Sequence, residues 1–202
     1  MKVYINERSG NSYKPLLLLS ILGIPYETVA IDLAKREQKR PEYLKINPRG
    51  LVPALEDQGA VIWDSTAILV YLARKYGGDR WLPVEPEPMA RVTQWLAFAQ
   101  NEIHYGLQFA RAIRHFGRPG NFEECRTYGK NALGVLDGWL GGNPWLALGR
   151  MTIADIACYP YVALAPDADI DLGAYPSVVS WIDRIRTQPG YIPLPAIKVA
   201  HA

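Results

Sequence analysis

Two short segments of the sequence carry residue types that could hold a peptide. In the first, Pro53 precedes the apolar pair Ala54-Leu55, and a proline at the mouth of a strand removes a backbone donor and is often in a cis peptide. In the second, Asp64 and Ser65 stand where a strand gives way to a helix, so either could cap the helix, whose N–H groups could also receive a carboxylate. An edge strand that offers backbone hydrogen bonds beside such a helix start predicts capture of a short peptide. An ordinary loop and an ordinary cap would be the simpler interpretation if this pair stood alone.

The composition restricts the classes of function. The 202 residues suit one large or two small domains, and 22 basic against 20 acidic residues leave a net charge of +2. That charge excludes the strong basic field of a nucleic-acid-binding protein. Cys125 and Cys158 form neither a disulfide framework nor a CxxC motif, which is typical of a cytoplasmic protein. The apolar run 16–24 is too short to span a membrane, so we expect neither a nucleic-acid nor a membrane partner.

Periodicity and helix breakers divide the chain into two predicted domains. The order strand, helix, strand, followed by strand, strand, helix, is predicted over residues 1–77. In that domain, Ser12 is the expected N-cap of the first helix. The glycine- and proline-containing segment 78–86 is the predicted linker. Residues 87–202 are expected to be all-helical, with helices at about 87–116, 122–140, 152–165 and 178–187.

Four motifs carry a resemblance to a known family: Ser9-Gly10-Asn11-Ser12, Val52-Pro53, Asp64-Ser65 and Gly149-Arg150-Met151-Thr152-Ile153-Ala154-Asp155. In this order and spacing the chain resembles the cytosolic glutathione transferases over essentially its whole length, and most closely bacterial members near the theta, zeta and nu classes. The resemblance implies an α/β thioredoxin-like N-terminal domain, an all-α helical C-terminal domain and a homodimer. Independently of the family, Thr152 and Asp155 have the spacing of a helix capping box, which predicts a structural role for Asp155.

The resemblance also implies that the thiol of bound glutathione is held as a thiolate, the nucleophilic form of sulfur. Ser9 lies where the serine-type classes place their catalytic hydroxyl, next to a helix N-terminus that favours negative charge. Asn11 is a second candidate, because its amide is a donor and nu-like members carry an asparagine there. Ser12 is expected to cap the helix instead. Tyr4 is one residue out of register with the phenol of the tyrosine-type classes, which favours packing over catalysis.

By the same resemblance, the cysteinyl backbone of glutathione pairs with the main chain of Val52, which Pro53 turns outward. Asp64 would attract the γ-glutamyl ammonium, and Ser65 with the helix N–H groups would bind the γ-glutamyl carboxylate. Gln38 and Lys39 lie where the family contacts the glycyl end, although Lys39 could equally be a solvated charge.

The second substrate is expected against the long helix and the C-terminal tail. On the helix, four side chains are spaced to share one face: Tyr105, Gln108, Phe109 and Ala112. Such an aromatic stripe could equally be core. Arg111 and Arg114 could face the mouth of this pocket or simply solvent.

The predicted function is therefore a glutathione transferase in which bound glutathione attacks a hydrophobic electrophile. Glutathione-dependent peroxide reduction, glutathione-dependent disulfide reduction and a non-catalytic binding protein of this fold remain alternatives. Serine at both ends of the first turn excludes a protein-borne dithiol there. No metal is expected, because three histidines match no metal-binding pattern: His104, His115 and His201.

Overall fold

The structure is a computed structural model that describes residues 1–194. The described chain forms two compact units, one made of residues 1–76 with 189–194 and the other of residues 77–188. His201 and the rest of the predicted domain beyond 194 lie outside the described residues.

The first unit is built on a four-stranded mixed sheet. Its strands are β1 (Lys2–Ile5), β2 (Glu27–Ala30), β3 (Ala54–Asp57) and β4 (Ala60–Trp63), in the order β2-β1-β3-β4. The strands β1 and β2 are parallel, whereas β3 is antiparallel to both of its neighbours. This sheet confirms the predicted thioredoxin-like fold class. The strand that follows Pro53 is β3, which lies inside the sheet, so the prediction that it is an edge strand is wrong.

Helix α1 (Gly10–Leu22) begins three residues before the predicted start. Ser9 is its N-cap, and the Ser9 Oγ accepts a hydrogen bond from the Ser12 N–H at 3.2 Å. The prediction that Ser12 caps this helix is therefore wrong. The Ser12 hydroxyl instead accepts from the Asn6 N–H at 3.2 Å, which ties the first turn of α1 to the end of β1.

The first unit also contains a short 3-10 helix, Glu37–Lys39, and two further α-helices, α2 (Pro41–Leu44) and α3 (Ser65–Leu72). Beyond α3 the chain continues as a wider, π-helical turn, Ala73–Gly77. The buried Asp57 at the end of β3 accepts hydrogen bonds from the Tyr71 hydroxyl, the Lys75 ammonium and the Tyr76 hydroxyl at 2.9, 2.7 and 2.6 Å. Burial opposes ionisation of Asp57, but these donors outweigh it and lower its pKa.

The second unit is helical, as predicted. Its helices are α4 (Pro86–Phe98), α5 (Phe109–Phe116), α6 (Phe122–Leu140), α7 (Ile153–Ala163) and α8 (Pro176–Arg186). The predicted helix over 87–116 corresponds to α4 and α5 joined by a π-helical stretch, Ala99–Gln108, in which the Phe109 N–H bonds to the His104 carbonyl. Gly106 lies in this stretch and meets α6 closely: a Cβ on Gly106 would lie 2.5 Å from the Gly129 nitrogen.

The start of α7 is a buried capping box, as the sequence predicts. The Thr152 Oγ1 accepts from the Ala154 N–H at 3.2 Å, and the Asp155 Oδ2 accepts from the Thr152 N–H at 2.9 Å. The Asp155 Oδ1 also accepts from the Leu146 N–H at 3.1 Å and from the Trp181 Nε1–H at 3.0 Å. Asp155 thus joins three chain segments, and its burial raises its pKa to about 6.

Two segments pack differently from the prediction. The predicted linker 78–86 belongs to the second unit, where Trp81 and Leu82 are buried and the Trp81 carbonyl accepts from the Ile153 N–H. Residues 189–194 were expected with the helical domain, but they pack on the first unit through the bond from the Tyr13 hydroxyl to the Ile192 carbonyl. Over residues 1–194, no helix is long and apolar enough to cross a membrane.

Candidate functional site

The turn before α1 presents a hydroxyl at a helix N-terminus. Ser9 is half-buried and has the extended backbone of an N-cap, with φ −94° and ψ 115°. The bond that Ser9 accepts from the Ser12 N–H uses a lone pair of its oxygen and leaves the hydroxyl hydrogen for a second partner. Ser9 can therefore cap α1 and donate to an anion at the same time.

The structure brings the first turn against the start of α3. The buried Ser65 hydroxyl donates to the Asn11 Oδ1 at 3.4 Å, across 54 residues of sequence. Two side chains that the sequence assigned to different parts of one tripeptide site are thus neighbours. Because Asn11 and Ser65 lie near the N-termini of α1 and α3, two helix ends that favour negative charge meet here.

Asp64, the N-cap of α3, has an ion-pair partner that the sequence did not reveal. Its Oδ1 accepts from the Thr66 N–H at 2.9 Å, and its Oδ2 accepts from the Arg49 Nη1 at 3.0 Å. The Asp64 backbone is in an unusual conformation for a residue with a side chain, with φ 78° and ψ 129°. An incoming ammonium would have to share the Asp64 carboxylate with the Arg49 guanidinium.

The segment before β3 offers main-chain groups for pairing. Its Val52-Pro53 peptide bond is cis, as the sequence suggested. The Leu51 carbonyl is held by the Tyr43 hydroxyl and the Asn47 side-chain amide, both at 2.7 Å. Within residues 1–194, no hydrogen bond involves the N–H or carbonyl of Val52. An extended peptide could therefore pair with Val52 on a backbone that its neighbours already fix.

Gln38 and Lys39 pack close to this segment. A Cβ on Gly50, which has φ +58°, would lie 2.7 Å from the Gln38 carbonyl and 2.8 Å from the Lys39 Nζ. The Lys39 Nζ donates to the Arg49 carbonyl at 3.0 Å, so Lys39 is more than a solvated charge. The Gln38 Oε1 is buried, and no described residue gives it a hydrogen bond. Such an orphaned polar atom is expected where a ligand binds.

The predicted second-substrate residues lie in the other unit, in and after the π-helical stretch. The Tyr105 ring contacts the rings of Phe109 and Tyr128 at centroid distances of 5.7 and 5.1 Å. The Tyr105 hydroxyl donates to Glu124 at 3.0 Å, and this bond raises the Tyr105 pKa. The Arg118 guanidinium lies 3.6 Å from the Phe109 ring centroid.

The other two members of that set, Gln108 and Ala112, differ in their surroundings. Ala112 is buried, whereas Gln108 is half-buried with an Oε1 that no described residue bonds. Arg111, expected at a pocket mouth or in solvent, is instead buried and paired with Asp167 at 2.8 Å. Arg114 is exposed and pairs with Asp169 at 3.2 Å.

A cavity lies beside Ser9, next to the C-terminal segment against which the second substrate was expected. It has a volume of about 240 Å³ and lies between α1 and residues 192–193. We call it the Ser9 cavity. Ile192 and Pro193 form part of its lining, and no local sequence pattern signals their long-range contact with α1.

Other groups in the described chain offer less chemistry. Tyr4 packs edge-to-face on Tyr43 at 5.9 Å, and burial together with Glu56 raises its pKa. Cys125 and Cys158 are both buried free thiols, and burial raises the Cys125 pKa. Residues 1–194 contain no group of three His, Cys, Asp or Glu side chains that could hold a metal ion.

Family models match both units. The model described as "Glutathione S-transferase, N-terminal domain" matches residues 1–74, and the model described as "Glutathione S-transferase, C-terminal domain" matches residues 98–189. Among curated relatives, the disulfide-bond oxidoreductase YfcG of Escherichia coli K12 is 33% identical over 189 residues, covering 89% of this chain and 87% of its own.

Solved structures agree with these matches. A glutathione S-transferase from Pseudomonas fluorescens is 35% identical with a TM-score of 0.89, covering 96% of this chain and 98% of its own. The glutathione transferase URE2P8 of Phanerochaete chrysosporium, solved with oxidized glutathione, is 28% identical with a TM-score of 0.83, covering 94% and 90% of the two chains.

Proposed function

Because this chain belongs to the glutathione S-transferase family, we propose that it binds glutathione as a thiolate and directs that sulfur at a hydrophobic electrophile. The observation that carries this proposal is the contact between Asn11 and Ser65, which joins the first turn of α1 to the start of α3. One tripeptide could then reach a sulfur-activating hydroxyl and an anion-binding helix end together.

Ser9 is the proposed activator of the sulfur. A free thiol ionises near pH 8.5, and each unit by which its pKa is lowered corresponds to about 1.4 kcal/mol of extra stabilisation of the anion. The Ser9 hydroxyl and the N-terminus of α1 both favour the thiolate. The thiol proton passes to solvent, and the thiolate forms the bond to the electrophile while the leaving group departs. Asn11 is the proposed second donor.

We propose that the tripeptide binds to the first unit, between the segment before β3 and the start of α3. Its cysteinyl backbone pairs with Val52 beside Pro53, since no described residue occupies the Val52 main-chain groups. Asp64 binds the γ-glutamyl ammonium. The carboxylate is bound by the N–H groups of α3 and by the Ser65 hydroxyl, whose hydrogen turns from the Asn11 Oδ1 to the ligand. Gln38 and Lys39 bind the glycyl end: the Lys39 ammonium attracts the glycyl carboxylate, and the orphaned Gln38 amide oxygen accepts a hydrogen bond from the glycyl N–H.

Contacts to the second substrate from the helical unit are proposed at Tyr105, Gln108, Phe109 and Ala112. We further propose a cytoplasmic homodimer. The exposed apolar side chains of Leu51, Val61 and Trp63 on the first unit support self-association, because large exposed apolar groups often mark interfaces. Light scattering that found only monomers at micromolar concentration would contradict the homodimer.

A second candidate function is disulfide reduction by bound glutathione, favoured by the similarity to YfcG. Cys125 and Cys158 are buried, so the attacking sulfur would have to come from glutathione rather than the chain. Parallel assays with an electrophile, a peroxide and a small disulfide separate these reactions. The transferase proposal requires the conjugation rate, corrected for the uncatalysed reaction, to be the largest of the three relative to background.

Retention on immobilised glutathione followed by calorimetry tests the proposal as a whole. We expect 1:1 binding per chain, weakened in Asp64→Ala and unchanged in Asp183→Asn, a control that alters an exposed carboxylate of α8. Absence of binding in the wild-type protein would refute the proposed function and leave only a non-catalytic member of the family.

A further inference from the structure

The Arg49 side chain contacts the carboxylate that is proposed to bind the ligand ammonium. Its Nη1 lies 3.0 Å from the Asp64 Oδ2, and its guanidinium carbon lies 6.0 Å from the centroid of the Trp63 ring, which adds a weak cation–π interaction. The Asp64 Oδ1 accepts from the Thr66 N–H and so caps α3. Each carboxylate oxygen of Asp64 therefore has a donor within the protein itself.

The main chain of Arg49 is fixed, whereas its side chain is partly exposed. The Arg49 N–H donates to the Asn47 Oδ1 at 3.0 Å, and the Arg49 carbonyl accepts from the Lys39 Nζ at 3.0 Å. These bonds hold the base of the side chain close to Asp64. Because 51% of the Arg49 side chain is exposed, water can solvate the guanidinium when it leaves the carboxylate.

This ion pair has opposite consequences for two kinds of ligand. A ligand with an ammonium must share Asp64 with Arg49 or displace the guanidinium, so the pair weakens its binding. A ligand without an ammonium meets an Asp64 carboxylate whose charge is already offset by Arg49. The carboxylate of that ligand, bound at Ser65, is then not repelled by an uncompensated like charge.

We propose that Arg49 lowers the preference of this site for a free ammonium, so that the protein also binds thiol peptides that lack the γ-glutamyl ammonium. The ligand class is a cysteinyl peptide whose acyl end carries a carboxylate, with or without an amino group beside it. This inference rests on the proposed function, because it requires the γ-glutamyl end of glutathione at Asp64 and Ser65. Arg49 is a positioning residue in this account, since it acts on the ligand through Asp64.

Equilibrium binding tests the inference without depending on which reaction is catalysed. The probes are glutathione and glutaryl-Cys-Gly, which has the same skeleton and the same two carboxylates but no ammonium. Calorimetry at neutral pH and low salt gives the ratio of the two dissociation constants, that of glutaryl-Cys-Gly divided by that of glutathione. We expect the wild type to bind both probes, with a ratio below about one hundred.

Substitutions of Arg49 should change this ratio. Arg49→Gln should lower the dissociation constant of glutathione, raise that of glutaryl-Cys-Gly, and so raise the ratio at least about fivefold. Arg49→Met gives an independent second measurement of the same loss of charge, and Arg49→Lys, which keeps the charge, should stay within about twofold of the wild type. The matched control is Arg186→Gln, which should leave the ratio unchanged: Arg186 is 52% exposed and pairs with Asp183 of α8 at 3.2 Å.

Asp64→Asn tests whether Arg49 acts through Asp64. Asparagine is as good an N-cap as aspartate, so this substitution removes the charge and keeps the cap of α3. In the Asp64→Asn background, Arg49→Gln should change the ratio by less than about twofold, because the carboxylate for which the two cations compete is gone. An effect of Arg49 on the fold alone would persist in that background.

The outcomes separate this inference from the proposed function. If the wild-type protein does not bind glutathione, the proposed function fails and the inference fails with it. If it binds glutathione but not glutaryl-Cys-Gly, or if Arg49→Gln gives the same ratio as Arg186→Gln, the inference is wrong and the proposed function stands. If Arg49→Gln raises the ratio equally in the Asp64→Asn background, the ion pair with Asp64 does not set the preference.

Discussion

The two aspartates at the starts of α3 and α7 show how one residue type can serve either a site or a fold. Asp64 caps α3 and Asp155 completes the capping box of α7. Asp155 is fully buried and accepts its hydrogen bonds from uncharged donors. The Asp64 side chain is 27% exposed, and its partners include the Thr66 backbone N–H and the exposed Arg49.

This difference in surroundings separates the two roles. Both carboxylate oxygens of Asp155 accept hydrogen bonds from buried N–H groups of the fold. A ligand could bind this carboxylate only by breaking those bonds. Asp64 lies at the surface opposite a flexible guanidinium, and an ammonium ligand can join or replace that partner. We therefore expect changes at Asp155 to alter stability and changes at Asp64 to alter binding.

The largest expected effect is that of Asp155→Ala on stability. The substitution leaves the Leu146 N–H, the Thr152 N–H and the Trp181 indole N–H buried without an acceptor, at roughly 1–3 kcal/mol for each. We expect the free energy of unfolding to fall by about 3 kcal/mol or more. Urea denaturation measures the loss, and a loss below about 1 kcal/mol would contradict the structural role. If Asp155→Ala does not fold, Thr152→Ala tests the same box at about 1 kcal/mol.

The next largest expected effect is a fall in the free energy of unfolding as Asp155 ionises with rising pH. The Asp155 pKa is about 6 in the folded protein and about 3.9 in the unfolded chain. A raised folded pKa means that its favourable contribution is present below about pH 3.9 and is lost as the pH rises through about 6, by about 3 kcal/mol in all. We expect the free energy of unfolding of the wild type, relative to Asp155→Asn, to decrease from about pH 4.5 to about pH 7.5. If the difference in unfolding free energy between the wild type and Asp155→Asn does not change with pH, the raised pKa of Asp155 is contradicted.

Asp64→Ala should weaken glutathione binding more than it lowers stability, whereas Asp155→Ala should mainly lower stability. Loss of the cap costs about 1 kcal/mol of stability, whereas loss of a charge-assisted bond to the ligand ammonium costs about 1.5–3 kcal/mol of affinity. We expect the glutathione dissociation constant to rise at least about tenfold, as measured by calorimetry at neutral pH. An unchanged dissociation constant would place the ammonium elsewhere.

Local patterns predicted much of this molecule. The order of strands and helices, the extent of α6, the two-unit fold class and the capping box at Thr152 each follow from periodicity or from residues three apart. The helix before Gly77 was also predicted, although α3 ends at Leu72 and continues as a wider turn. Short-range rules suffice where the determining interactions lie within one turn of helix or one hairpin.

What the sequence missed depends on contacts between distant residues or on a choice between equivalent groups. Ser9 and Ser12 are both good caps, and the choice is decided by the Asn6 N–H, which engages Ser12. The pairing of Arg49 with Asp64 spans 15 residues, and the lining of the Ser9 cavity includes Ile192, which must reach Tyr13. The interior place of β3 likewise depends on its pairing with β1, which no local pattern encodes.

The pKa of the glutathione thiol in the complex is the most direct test of the central claim. Ultraviolet absorbance of the thiolate is titrated against pH for the wild type and for Ser9→Gly, which removes the hydroxyl yet keeps α1 capped at a cost of only a few tenths of a kcal/mol. Ser9→Thr retains the hydroxyl, and Ser20→Ala removes a serine elsewhere on α1. We predict a bound thiol pKa at least about one unit below the free value in the wild type, Ser9→Thr and Ser20→Ala, and a return towards about 8.5 in Ser9→Gly with glutathione still bound. An equally lowered pKa in Ser9→Gly would contradict the assignment of the sulfur to Ser9.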